Sequence, residues 1–243
     1  LPNIEVAVMR DGPDIIGFFP FERHAGVVAR PVGRGLSDYQ GVIALPDAPW
    51  TVNAMLTGCG LKAWEFNHQL VSQIQLAPYF RATGASWRMN VSAGYESFLA
   101  ARKAATTALS EQLRKLRKLQ REHEVRFVWH TAEESVLQRL IDLKAQHYLR
   151  TSGVDPFAAH RWIKKLMRAA IETQTPQFAG ILSATYAGDM IIAAQFSLRS
   201  GSMIHNIFPT YDVRFSRYSP GGCHHLLVAQ HASAEGVTCI DHG

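Results

Sequence analysis

The chain has 243 residues, 47% of them hydrophobic and 19% charged, a balance that fits a folded protein and excludes long disorder. No run approaches the roughly 18 unbroken apolar residues of a membrane span. The net charge of +5 is uneven: Arg102, Lys103, Arg114, Lys115, Arg117, Lys118 and Arg121 face Glu111 alone, a local balance of +6 that leaves −1 for the rest. A near-neutral body with one basic helix argues against a general nucleic-acid coat.

Residues 5–9 alternate, 11–14 form a turn, 15–21 read as an apolar strand, and Ala25-Gly26 turns the chain into a strand over 27–32. A glycine-rich loop over 33–41 leads to a short helix over 50–57 and a strand over 63–67. The periodicity predicts one long helix over 95–122. Leu109, Leu113 and Leu116 share one of its faces, and Arg114, Arg117, Lys118 and Arg121 share another. A strand over 125–129 and helices over 133–149 and 156–173 follow, the last with Asp155 as N-cap and Pro156 at the first helical position.

The last third repeats the first. Strands over 178–185, 190–198 and 203–208 are joined by tight turns, then come a loop to Ser219, a helix over 220–235 and a strand over 237–241. Two such units predict an internal duplication in an α/β (α+β) chain with tandem lobes, each a mostly antiparallel mixed sheet flanked by helices. The lobes are expected at 1–92, N-terminally incomplete, and 93–243, which opens on the basic helix.

Cys59, Cys223 and Cys239 form no C-x-x-C pair, which suits a reducing, cytoplasmic compartment. Five histidines gather late, but neither C-x-x-C nor H-x-x-x-H occurs and His224 and His231 stand seven apart, so no metal is expected. No G-x-S-x-G is present, and Cys223 alone sits at a helix start, where a thiolate's pKa falls.

A three-strand meander feeding a helix through a phosphate-sized loop resembles the GNAT acyltransferase core, and the tandem arrangement resembles the two-lobed branch with the Fem-type peptidoglycan aminoacyltransferases. Phe19-Pro20-Phe21, the stretch from Pro31 to Gly41, Arg117-Lys118-Leu119-Gln120-Arg121-Glu122, the stretch from Lys144 to Thr151 and Tyr218-Ser219-Pro220-Gly221 are similar to bacterial cellulose-biosynthesis (CelD-like) acetyltransferases. The GNAT signature Q/R-x-x-G-x-G/A falls on Arg217-Tyr218-Ser219-Pro220-Gly221-Gly222, with Pro220 replacing the first glycine. The resemblance implies that the amides of Gly221, Gly222 and Cys223 cradle the coenzyme A pyrophosphate, with Ser219 in the loop and Arg217 or Arg214 as counter-charge. Ser219-Pro220 also reads as an ordinary capped helix start.

The implied reaction moves an acetyl or acyl group from acetyl-CoA or another acyl-CoA to an amine or hydroxyl, and the resemblance points to exopolysaccharide biosynthesis as its setting. Backbone N–H groups over 203–208 would polarise the thioester, and His205, Asp212 or Asp38 would accept the proton. Asp38 and Tyr39, with Tyr211, Lys144 and Tyr148, are expected to bind a saccharide or amine acceptor at the seam between the lobes; Asp38 alternatively forms an Asx-type turn with Tyr39 packed on the core. The basic stripe binds an anion or is a solvated face. Two other functions stay open: tRNA-dependent aminoacyl transfer of the Fem type, and a non-catalytic saccharide-binding lobe pair.

Overall fold

The computed structural model describes residues 3–243, which divide into two units, Leu1–Ala85 and Ser86–Gly243. The second unit starts ahead of residue 93, the boundary expected from sequence.

In the first unit β1 (Ile4–Asp11) and β2 (Asp14–His24) form a hairpin through Gly12, whose φ of +57° is a conformation glycine adopts without strain. β3 (Val28–Arg30) adds antiparallel to β2; β4 (Ile43–Ala44), α1 (Val52–Gly58) and β5 (Ala63–Trp64) follow. Thr51 caps α1, its hydroxyl accepting from the Ala54 amide. The strand expected over 63–67 ends at Trp64: Glu65 N makes the last bond to β3, donating to Ala29 O at 3.0 Å, and Asn67 N donates instead to Gln40 Oε1 at 2.9 Å. Phe19, Phe21, Ala29 and Leu76 are almost wholly buried at the centre of this unit's own core.

The second unit opens with β6 (Arg88–Asn90), then α2 (Tyr95–Ala105) and α3 (Ala108–Glu122). The long helix expected there is broken at Thr106, which is extended (φ −159°, ψ 147°) and whose hydroxyl accepts from the Ala108 amide. A β-branched side chain that satisfies the next turn's amide competes with helix continuation. β7 (Val125–Val128) and α4 (Glu134–Ser152) follow. The expected helix over 156–173 is two, α5 (Pro156–Ala159), capped by Asp155 as the sequence predicts, and α6 (Trp162–Glu172). β8 (Phe178–Ala187), β9 (Met190–Ser200) and β10 (Met203–Tyr211) make the meander, and α7 (Pro220–Ala234) leads to β11 (Cys239–Asp241). The sheet runs β6-β11-β10-β9-β8-β7.

β8 is buried along nearly its whole length because both faces are covered. On one face Ile181, Ile204 and Ile240 pack against Val228, Ala229 and Ala232 of α7. α6 approaches β8 at Gly180, where a Cβ would lie 2.4 Å from the Ala170 carbonyl carbon. His224 of α7 is fully buried between the hydroxyls of Ser183 (3.0 Å) and Thr185 (2.8 Å), and burial pushes it down to about 3, so it is a neutral core residue.

The two units share one strand order. In the first, β1, β2 and β3 are antiparallel neighbours and β5 returns parallel to β3, Val28 opposite Ala63. In the second, β8, β9 and β10 do the same and β11 returns parallel to β10, Met203 opposite Cys239. The duplication read from the sequence is therefore present as topology.

Candidate functional site

Residues 203–205 of β10 pair with β11, and the register ends at His205 opposite Asp241, whereas β10 runs on to Tyr211. A bulge between Asn206 and Phe208 lies where the two strands part. Pro209 fits this: proline donates no ladder hydrogen bond and is tolerated only on an edge or at a bulge. Its carbonyl accepts instead from Lys144 Nζ of α4 at 3.0 Å. The Lys144 ammonium lies 5.1 Å from the Tyr148 ring, and burial holds its pKa below the usual lysine range. Beyond His205, then, β10 outruns the β11 register, at the carboxyl end of a parallel strand pair, the usual place for a ligand in such sheets.

After β10 the chain passes through the 3-10 helix Val213–Tyr218 into α7. Ser219 joins them at φ +52°, ψ 58°, a left-handed conformation a non-glycine residue rarely adopts. Its side chain makes no capping hydrogen bond, so the capped helix start is not what forms. The Cys223 amide is spent on the Ser219 carbonyl at 3.0 Å, which leaves Gly221 and Gly222 as the free first-turn donors rather than the three amides expected. Tyr211 closes one side: a Cβ on Gly221 would sit 3.3 Å from its ring. Gln112 of α3 supports the other, Nε2 donating to Ser219 O and Cys223 Sγ at 3.2 Å each. The Cys223 thiol, fully buried, donates to Tyr218 O, and burial pushes its pKa up to about 11. That reverses the expected lowering, since desolvation outweighs the helix start.

Arg217 reaches back to Glu122 (3.4 Å) and to the Tyr218 hydroxyl while remaining mostly exposed. Asp212 is 4% exposed and accepts from Arg139 (2.7 Å), from Arg214 (2.6 Å) and from the Arg214 amide. The Arg214 hydrogen bond holds its carboxyl below the usual range, so the pKa raised by burial that suits a base is not found. Asp212 braces the loop.

His205 stands on β10 with Nδ1 4.0 Å from the fully buried Asp241 carboxylate, which also accepts from Ser86 Oγ (2.7 Å) and Arg88 Nε (3.0 Å). Sequence reasoning missed Asp241, Asn206 and His225. Asn206 pairs with His242 at 3.3 Å, while its Oδ1 and the His225 Nε2 are buried without hydrogen-bond partners. His225 is held down at about 4 by burial and by His242, whose ring lies 5.0 Å away. Only the fold brings these residues together; no spacing marks them. Among the described residues no group of three His, Cys, Asp or Glu could hold a metal ion, and no helix is long and apolar enough to cross a membrane.

Asp38 and Tyr39 belong to the first unit, in the loop after the 3-10 turn Arg34–Leu36, and Tyr39 is 37% exposed. The basic face of α3 is solvent-facing: Arg114 lies 3.7 Å from Glu111 and Lys118 3.9 Å from Glu122.

Comparison with protein families matches residues 109–243 to the acetyltransferase (GNAT) domain. The chain belongs to the GNAT acetyltransferase family. It is a transferase, and the GNAT match supports transfer of an acyl group between a small-molecule donor and an acceptor. GNAT domains generally use acyl-CoA, and β10 and the start of α7 fall in the matched region. Among solved structures, the fold is similar to the C-terminal DUF2156 domain of a provisionally named lysylphosphatidylglycerol synthetase from Agrobacterium fabrum (TM-score 0.60, 12% identity, 99% of this chain and 70% of that one). It is also similar to FemX (TM-score 0.51, 10% identity, 99% and 79%). At such identities the likeness is one of fold. No curated protein matches the sequence significantly.

Proposed function

We propose that this GNAT protein transfers an acetyl or longer acyl group from acyl-CoA to an amine or hydroxyl. The observation that carries the reading is the start of α7, where the amides of Gly221 and Gly222, without side chains, head a 15-residue helix. Unsatisfied amides and the helix dipole both favour phosphate there. Gly221 and Gly222 hold the pyrophosphate, Ser219 shapes the turn, and Arg217 supplies exposed positive charge. The thioester lies along β10, whose backbone N–H groups over 203–208 polarise it.

With Asp212 held ionised by two arginines, the base role falls to His205, with Asp241 as its charged neighbour. On the second unit Lys144, Tyr148 and Tyr211 bind the acceptor. The acceptor class suggested by the CelD-like resemblance is an exopolysaccharide precursor, and three free cysteines suit a reducing, cytoplasmic setting. Coenzyme A is expected to raise the melting temperature, and Gly221→Asp to abolish that rise by placing a carboxylate against the phosphates. Equal shifts in both proteins would move the donor elsewhere.

One observation favours a second reading, tRNA-dependent aminoacyl transfer: the FemX likeness spans 99% of the chain. In that case the exposed face of α3 grips tRNA, and filter binding would detect a complex that Arg117→Glu weakens.

A further inference from the structure

The first unit carries a cavity at the corresponding place in its topology. Its parallel pair, β3 and β5, runs in register to Ala29 opposite Trp64, and β3 ends at Arg30, before Pro31. A cavity of about 200 Å³ opens at that point, lined by Pro20, Pro31, Trp64, Tyr39, Gln40 and Gln73 among others.

Its chemistry differs from that of its counterpart. In the second unit the amides of Gly221 and Gly222 head a 15-residue helix. In the first unit the chain passes through a three-residue 3-10 turn, and α1, seven residues long, begins only at Val52. Among the described residues none that lines the cavity is charged.

The polar groups in the wall are amides locked by backbone. Gln73 Oε1 accepts from Val42 N (3.2 Å) and Nε2 donates to Val42 O (2.7 Å); Gln40 Nε2 donates to Ser37 O (2.9 Å) and Oε1 accepts from Asn67 N (2.9 Å). Each bond uses one hydrogen or one lone pair of an amide that has two of each. A Cβ on Gly41 would fall 2.9 Å from the Gln73 amide, so that glycine lets the side chain sit where it does. Around these fixed, neutral donors and acceptors stand two aromatic and two proline rings.

We propose that this cavity binds one neutral pyranose ring. Apolar C–H faces match the aromatic and proline walls, and hydroxyls match uncharged amides. The volume is below the roughly 300–1,000 Å³ usual for drug-sized ligands and suits a single ring. The proposal rests on the saccharide-acceptor reading, in which Tyr39 already has a part, and names the ring it takes; because binding is read with no donor present, its failure leaves acyl transfer itself standing.

The test is saturation-transfer NMR on the full chain with the methyl glycosides of glucose, galactose and mannose. At least one is expected to receive saturation and to titrate. Tyr39→Ala, which removes an exposed stacking face, is expected to weaken it about fivefold to tenfold. Ile43→Arg, a cation at a lining position that is 64% exposed, is expected to abolish the signal. Melting curves establish that both variants are folded. No signal from any of the three glycosides overturns the proposal, and so does a signal that survives both substitutions unchanged.

Discussion

The sequence offers His205, Asp212 and Asp38 as the base, and the surroundings of Asp212 and His205 differ. A carboxylate held by two guanidiniums and a backbone amide is more useful as a brace than as a proton acceptor. Asp212→Asn is therefore expected to lower stability by about 1–3 kcal/mol at neutral pH, below the figure for a fully buried pair because Arg214 is 65% exposed. Its folded pKa is depressed, so the stabilisation is full above the ordinary aspartate value of about 3.9 and is lost as pH falls through the lower folded value. Urea unfolding at a series of pH values should show wild type and variant converging in acid. His205→Gln is the complement. Its side chain is 16% exposed and glutamine keeps a polar group there, so it should melt within a few degrees of wild type and lose about 100-fold in turnover.

Among the elements, the turn from the 3-10 helix into α7 concentrates local strain. Ser219 is held left-handed, and Gln112 braces the turn from α3 by bonding both Ser219 O and Cys223 Sγ. A Cβ on Gly222 would lie 2.5 Å from Gln112 Oε1, so Gly222→Ala displaces that side chain and both its bonds. The expected loss is about 1–2 kcal/mol. In a Gln112→Ala background the same substitution should be nearly neutral, and a double-mutant cycle in urea measures the difference. The element boundaries show where local pattern was enough. Asp155-Pro156 started its helix as expected because capping and fixed φ are properties of adjacent residues. The break at Thr106 was hidden because the flanking apolar spacing continues through it; only packing decides whether the threonine bends the chain.

At the scale of the whole molecule, each unit has its own apolar centre. The core around Phe19, Phe21 and Leu76 draws only on residues before Ala85, and the cores around Ile204 and Ile240, Leu119 and Ile192, and Leu99 and Leu226 only on residues after it. A chain restricted to residues 86–243 is accordingly expected to fold alone and to unfold in one cooperative thermal transition by circular dichroism. A broad, non-cooperative melt would show that the first unit is needed for the second to fold.

The sequence by itself determined the strand–turn–strand rhythm, the repeated unit and the helix that starts after Ser219. Periodicity, glycine turns and proline starts are written in neighbouring residues. Only the tertiary structure decided protonation and partnership. Cys223 is a helix-start cysteine by sequence, yet a buried thiol with a raised pKa in the fold, because desolvation is set by what packs over it from α3. Asp241, Asn206 and His225 converge on the parting of β10 and β11 from segments with no shared motif. Such convergence depends on sheet register and helix packing, which join residues distant in the chain and leave no local trace in it.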